Sequence, residues 1–144
     1  MAEPLKIHYT VPGDDFTRAG EASGDLKKTL KKLGISPSII RKVSISMYEG
    51  EINMVIHANG GSIDITIDNE NIIMKLSDTG PGIADVELAM REGYSTAPED
   101  VRSLGFGAGM GLPNMKKYSD EMVIDSTVGV GTTVTMKIHL NEEA

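Results

Sequence analysis

Four short segments of this chain carry residue types and spacings that could do chemistry. In Glu49-Gly50-Glu51-Ile52-Asn53 the carboxylate of Glu49 and the amide of Asn53 are one helical turn apart, so on a helix they share a face. A carboxylate there could take a proton from an attacking hydroxyl. A neutral amide oxygen could ligate Mg2+ without adding negative charge beside a phosphate. A solvated helix pair would read the same way. In Asp78-Thr79-Gly80-Pro81-Gly82-Ile83 the glycines permit close backbone approach by a ligand. The aspartate, an acceptor only, could read an exocyclic amine; a plain turn also fits. Gly105-Phe106-Gly107-Ala108-Gly109-Met110-Gly111 runs into a helix, where exposed N–H groups and the macrodipole suit an anion; a merely flexible linker is the alternative. Gly131-Thr132-Thr133-Val134 enters a strand, and a tight turn is sufficient explanation for it alone.

Other chemistries are excluded. The chain has no Cys, so it has no disulfide and no thiolate metal site. It lacks G-x-x-x-x-G-K-[ST], G-x-G-x-x-G and H-E-x-x-H, and its three His (His8, His57, His139) are scattered. There is no G-x-S-x-G elbow. The net charge of -7 disfavours nucleic acid, and two Phe with no Trp make a poor base-stacking platform. A phosphate ligand would need a locally positive pocket built from backbone N–H groups or a metal. No apolar run approaches the ~20 residues of a membrane span. Met1–Thr10 has no leader pattern, so the expected location is the cytosol and no membrane partner is expected.

The elements that must position these segments follow from periodicity. The length of 144 residues fits a single domain covering 1–144. Leu5, Ile7, Tyr9 and Val11 alternate as a strand. Gly13-Asp14-Asp15 turns the chain, and an aspartate is placed to cap a helix over Phe16–Leu33 that Gly34 ends. Ser36-Pro37 opens a second helix reaching His57. Within it Gly50 costs ~1 kcal/mol in propensity relative to Ala, and Glu51 points away from the Glu49 face. Ile63, Ile65, Ile67 and Ile72, Met74, Leu76 form a hairpin around Asp68–Asn71. A short helix is expected near Ala84–Arg91, a long loop over Glu92–Gly109 that closes over a ligand, and a helix over Gly111–Tyr118. Met122–Ser126 and Thr132–Leu140 make a closing hairpin turned at Val128–Gly131. The expected architecture is an α+β two-layer sandwich, a mostly antiparallel sheet with helices on one face.

Together and in order, the four segments resemble the ATP-binding domains of gyrase, Hsp90, histidine kinases and MutL, with their Bergerat-type fold. Glu49–Asn53 resembles the N box, Asp78-x-Gly80-x-Gly82 the G1 box, Gly105–Gly111 the G2 box and lid, and Gly131-Thr132-Thr133 the last box. The resemblance covers about Val43–Leu140. It implies that ATP and Mg2+ are the cofactors, that Glu49 is the general base and that Asn53 ligates the metal. It implies that Asp78 binds the adenine amine with Gly82 close to the base, and that Gly80 and Ile83 also bind the nucleotide. Gly107, Gly109 and Gly111 would cradle the phosphates, and Gly105, Met110 and Leu112 would also bind the nucleotide. Thr133 would help to hold Asp78 and a water, and His57, which ends the N-box helix, would also bind the nucleotide.

Gyrase, Hsp90 and MutL carry further domains, and histidine kinases a phosphoacceptor helix pair, for which this length leaves no room. The sequence is most similar to the anti-sigma kinases and stressosome switch kinases. The run Gly109-Met110-Gly111-Leu112-Pro113-Asn114-Met115-Lys116-Lys117 is most like the switch group. That resemblance implies a serine/threonine kinase acting on a partner of the sulfate-transporter/anti-sigma-antagonist (STAS) type in bacterial partner switching. Sequestration of a sigma factor and ATP-binding switching without phosphotransfer are the alternatives. Anti-sigma members often carry a charged residue where Gly107-Ala108 stands, which favours the kinase. The lysines Lys27, Lys28, Lys31 and Lys32 could dock an acidic partner or form a solvated face. The oligomeric state is left open by the sequence.

Overall fold

A computed structural model describes residues 3–13, 18–58, 60–83, 90 and 111–140. The described elements are β1 (Leu5–Pro12), α1 (Glu21–Lys32), α2 (Pro37–His57), β2 (Gly60–Ile67), β3 (Asn71–Asp78), α3 (Gly111–Tyr118), β4 (Glu121–Thr127) and β5 (Gly131–His139). The five strands form one sheet in the order β1-β2-β3-β5-β4, and every pairing is antiparallel. The fold is the expected α+β one. The short helix near Ala84–Arg91 and the loop over Glu92–Gly109 lie outside the described residues, Met90 apart.

The period-two alternation decides which face is buried. Across the sheet, Tyr9, Ile63, Leu76, Val134 and Ile124 stand in register on one face, as do Ile7, Ile65, Met74, Met136 and Met122. This face packs on Leu26 and Leu30 of α1 and on Ile39, Val43, Met47, Met54 and Val55 of α2. The opposite face carries the row His8, Asp64, Lys75, Thr135 and Val123. There His8 Nδ1 and Asp64 Oδ1 lie 2.7 Å apart. One face is therefore core and the other polar, the usual arrangement for an antiparallel sheet covered on one side.

Local chemistry fixes the ends. Ser36 Oγ accepts from the Ile39 N–H at 3.4 Å, and Pro37 occupies the first turn of α2. After α1, Gly34 adopts φ 76° and the Ile35 N–H closes onto the Leu30 carbonyl at 3.1 Å, as a glycine stop should. At the β2–β3 turn, the Asp68 carboxylate accepts the N–H groups of Glu70 (2.8 Å) and Asn71 (2.7 Å). Those bonds hold its pKa below the usual carboxylate value.

The start of α1 differs from expectation. The helix begins at Glu21 rather than near Phe16, and its N-cap is Gly20 (φ 98°), which supplies no side-chain cap. Asp14 and Asp15 lie outside the described residues. The cap comes from α2: buried Glu51 accepts the N–H of Gly20 at 2.9 Å and of Ala22 at 3.2 Å on Oε2, and that of Ser23 at 3.0 Å on Oε1. Three of the donors that a helix start leaves unpaired are thus met by a carboxylate, at the end where the macrodipole favours negative charge.

Candidate active site

The site is assembled where α2, α3, the end of β3 and the β4–β5 turn converge. Gly50 sets the first distance. It is buried, and a Cβ there would collide with Leu76 Cδ2 and stand 3.4 Å from Met115 Cε. The propensity cost of a glycine in mid-helix is therefore offset by close approach of α2 to β3 and α3. On this helix Glu49 and Asn53 both turn toward α3. Glu49 is partly buried, and its Oε1 accepts from Asn114 Nδ2 at 3.3 Å. Asn53 turns its Nδ2 to the Met115 sulfur at 4.0 Å, a weak contact. Among the described residues, nothing reaches its carbonyl oxygen, the atom a hard cation would take. His57 is the last residue of α2, and its side chain lies outside the described residues.

Glu49 also lines an open groove of about 410 Å³ between α1 and α2, with Gly20, Ser23, Lys27, Ser44 and Tyr48. The Ser44 hydroxyl is buried there without a partner among the described residues. Burial, then the charges of Glu49 and Glu51, push the Tyr48 phenol above its ordinary pKa, so it stays protonated at neutral pH.

The second part is a corner built from Asp78–Ile83. Asp78 Oδ1 accepts the N–H of Gly80 at 2.9 Å and of Thr132 at 3.2 Å. Among the described residues no donor reaches its Oδ2. Gly80 abuts the end of α2, where a Cβ would stand 2.7 Å from Ala58 Cα. Gly82 takes φ 81°, and a Cβ there would stand 2.9 Å from Val128 Cα, so the loop rests on the β4–β5 turn. The same turn is tied by the Gly129 N–H to the Pro81 carbonyl at 2.9 Å and by the Ile83 N–H to Ser126 Oγ at 2.7 Å. Ser126 Oγ in turn meets Thr132 Oγ1 at 2.8 Å.

The residue against Asp78 is Thr132, not Thr133. In the β3–β5 register Asp78 faces Thr132 and Ser77 faces Thr133. Thr132 is buried on the helix-covered face with Val134 and Met136, and alternation turns Thr133 to the polar face. A shift of one residue along a strand changes the face, which a motif read without a register cannot detect. Gly111 opens α3 and Leu112 is buried, whereas Gly105, Gly107, Gly109 and Met110 lie outside the described residues. Sequence reasoning also missed Glu51, Asn114 and Ser126. Glu51 had a signal, because it occupies an apolar-stripe position one turn from Met47 and from Val55. Asn114 and Ser126 had none.

Comparison with known proteins places this geometry. The profile of the histidine kinase-, DNA gyrase B-, and HSP90-like ATPases matches residues 47–142, about two thirds of the chain. The chain belongs to that family. Membership implies an ATP-binding domain, and the match begins in α2 just before Glu49 and includes all four segments. Among curated relatives, an anti-sigma F factor of Bacillus licheniformis is 30% identical over 152 aligned positions, covering 99% of this chain and 96% of its own. Among solved structures, the RsbU and RsbW domains of a Mycobacterium tuberculosis protein share the fold with a TM-score of 0.59 at 18% identity over 98% of this chain. This chain spans 33% of that one. In the SiaB–SiaC complex from Pseudomonas aeruginosa the TM-score is 0.64 at 12% identity, with 92% of this chain and 88% of that one covered. No helix among the described residues is long and apolar enough to cross a membrane.

Proposed function

We propose that this ATPase-family protein is a serine/threonine kinase that passes the γ-phosphoryl group of ATP to a serine on a STAS-type partner. The observation that carries the reading is the position of Glu49. One of its oxygens is engaged by Asn114, and the residue also lines an open groove that a partner's side chain could enter. In the transfer, the serine oxygen bonds to the γ-phosphorus as the bond to the bridging oxygen breaks. The hydroxyl proton goes to the Glu49 carboxylate and ADP leaves. Asp78 would take the adenine amine on Oδ2, which no donor reaches among the described residues, with Gly80 and Gly82 beside the ring and Thr132 behind the carboxylate. Gly107, Gly109 and Gly111 would cradle phosphates.

Asn53 is the proposed protein ligand for Mg2+. Among the described residues no group of three His, Cys, Asp or Glu could hold a metal. A single neutral amide oxygen fits an ion that keeps its waters and takes the rest of its shell from phosphate. When bound, Mg2+ would neutralise charge developing on the phosphate oxygens.

The test is transfer of radiolabelled phosphate from ATP to a purified STAS-type partner and to its serine-to-alanine form. Glu49→Gln keeps the shape and removes the base, so labelling should fall by ~10²-fold or more while ATP still binds. Transfer at the wild-type rate by Glu49→Gln would remove Glu49 from catalysis. A second reading, sequestration of a sigma factor, is favoured by the anti-sigma F name of the relative. It takes over if wild-type protein labels no partner and binds a sigma factor tightly.

A further inference from the structure

We infer that Asn114 is the positioning residue for the proposed base, setting the direction of the Glu49 carboxylate during phosphoryl transfer. The inference rests on the kinase reading above and adds a residue to it. The contact is Asn114 Nδ2 to Glu49 Oε1 at 3.3 Å, made between α3 and α2. Its polarity is fixed by chemistry: a carboxylate only accepts, so the amide must present its nitrogen, since the carbonyl oxygen would repel.

Asn114 is not what holds α3 in place. That packing is supplied by Leu112, 9% exposed, and Met115, 1% exposed, which lies over Gly50 and meets Asn53. Asn114 itself is only partly buried. Its amide is therefore free to act on Glu49 with little role in the apolar core. A glutamate side chain has three rotatable bonds, and a base that wanders from the line of the incoming hydroxyl loses rate steeply. Holding Oε1 restricts those rotations and leaves Oε2 to receive the proton. At 3.3 Å the bond is long, so the expected contribution is modest, about three- to tenfold in rate rather than the factor of the base itself.

A double-mutant cycle tests this. Wild type, Asn114→Ala, Glu49→Gln and the double variant are assayed for transfer from ATP to the STAS-type partner, with kcat and KM for the partner resolved. Nucleotide affinity is measured by calorimetry and melting temperature is measured alongside. Asn114→Ala should lower kcat about three- to tenfold with nucleotide affinity and melting temperature unchanged. In the Glu49→Gln background the same substitution should change nothing, because a positioner has no effect once its object is gone. Asn114→Asp fills the same space without donating, and should lose at least as much as Asn114→Ala.

An equal loss in both backgrounds would show that Asn114 acts without Glu49. A fall in nucleotide affinity would place it in the nucleotide pocket instead, and unchanged kcat in both Asn114 variants would leave it no role. Each of these overturns the inference while the kinase reading stands. Wild-type protein that transfers no phosphate overturns the kinase reading and the inference with it.

Discussion

At the scale of the residue, Asp78 divides its labour between its two oxygens. Oδ1 takes the N–H groups of Gly80 and Thr132 and so holds the loop and the start of β5 together. Oδ2 has no donor among the described residues and is the atom proposed to meet adenine. Asp78→Asn separates the two roles, since an asparagine keeps Oδ1 as an acceptor and replaces Oδ2 with a donor that repels the adenine amine. Losing one hydrogen bond to a charged group costs about 1.5–3 kcal/mol. ATP affinity should therefore fall ~10- to 100-fold with the melting temperature little changed, and wild type should bind GTP far more weakly than ATP. Calorimetry with both nucleotides reads this; equal affinity of wild type for ATP and GTP would refute the adenine assignment. The aspartate was singled out in sequence by the spaced glycines that follow it, a pattern that a plain turn carries as well. Its partner was not, because Thr132 and Thr133 differ only in which face of β5 they occupy, and the register sets that.

At the scale of the element, the helices are joined by a buried charge. Glu51 is 2% exposed and satisfies three N–H groups at the start of α1, so α2 caps its neighbour. Glu51→Gln puts amide hydrogens where a carboxylate oxygen accepted, leaving a buried donor facing donors. The expected cost is about 1.5–3 kcal/mol, the range for hydrogen bonds to a charged group. It should lower the urea midpoint without changing the slope. An unaltered midpoint would mean that the contacts contribute nothing net. This arrangement explains which parts of the fold were readable. The strands alternate cleanly, and Ser36-Pro37 caps α2 from its own sequence, so those elements declare themselves locally. The start of α1 does not, because its cap arrives from a residue far along the chain and Gly20 offers no side chain. The acid at a core-facing position of α2 was the one local sign that it had a distant partner.

At the scale of the whole molecule, the candidate site lies along one margin of the two-layer fold and is built from segments that are distant in sequence. Residues 49–53 meet 111–115, and 78–83 meet 126–132, only once the chain has folded, so the candidate site exists in the folded chain and not in the unfolded one. A ligand that binds only the folded state raises stability by mass action, about 2.7 kcal/mol at a hundredfold excess over Kd. For a domain of this size that corresponds to a rise in melting temperature of about 5–10 °C. Charge adds a condition. The chain carries a net -7, and a bare polyphosphate would be repelled by it. If Asn53 presents its amide oxygen to Mg2+, the metal both neutralises the phosphates and links them to α2. Mg-ATP should then raise the melting temperature by the amount above, and adding a chelator at the same ATP concentration should abolish most of the rise. Asn53→Ala should melt like wild type without ligand, yet show with Mg-ATP only the small shift that wild type shows with chelated ATP. Together those curves locate the metal on Asn53 rather than merely in solution. A full Mg-ATP shift in Asn53→Ala would take that residue out of the site, and a shift in wild type that survives the chelator would take the metal out of binding altogether.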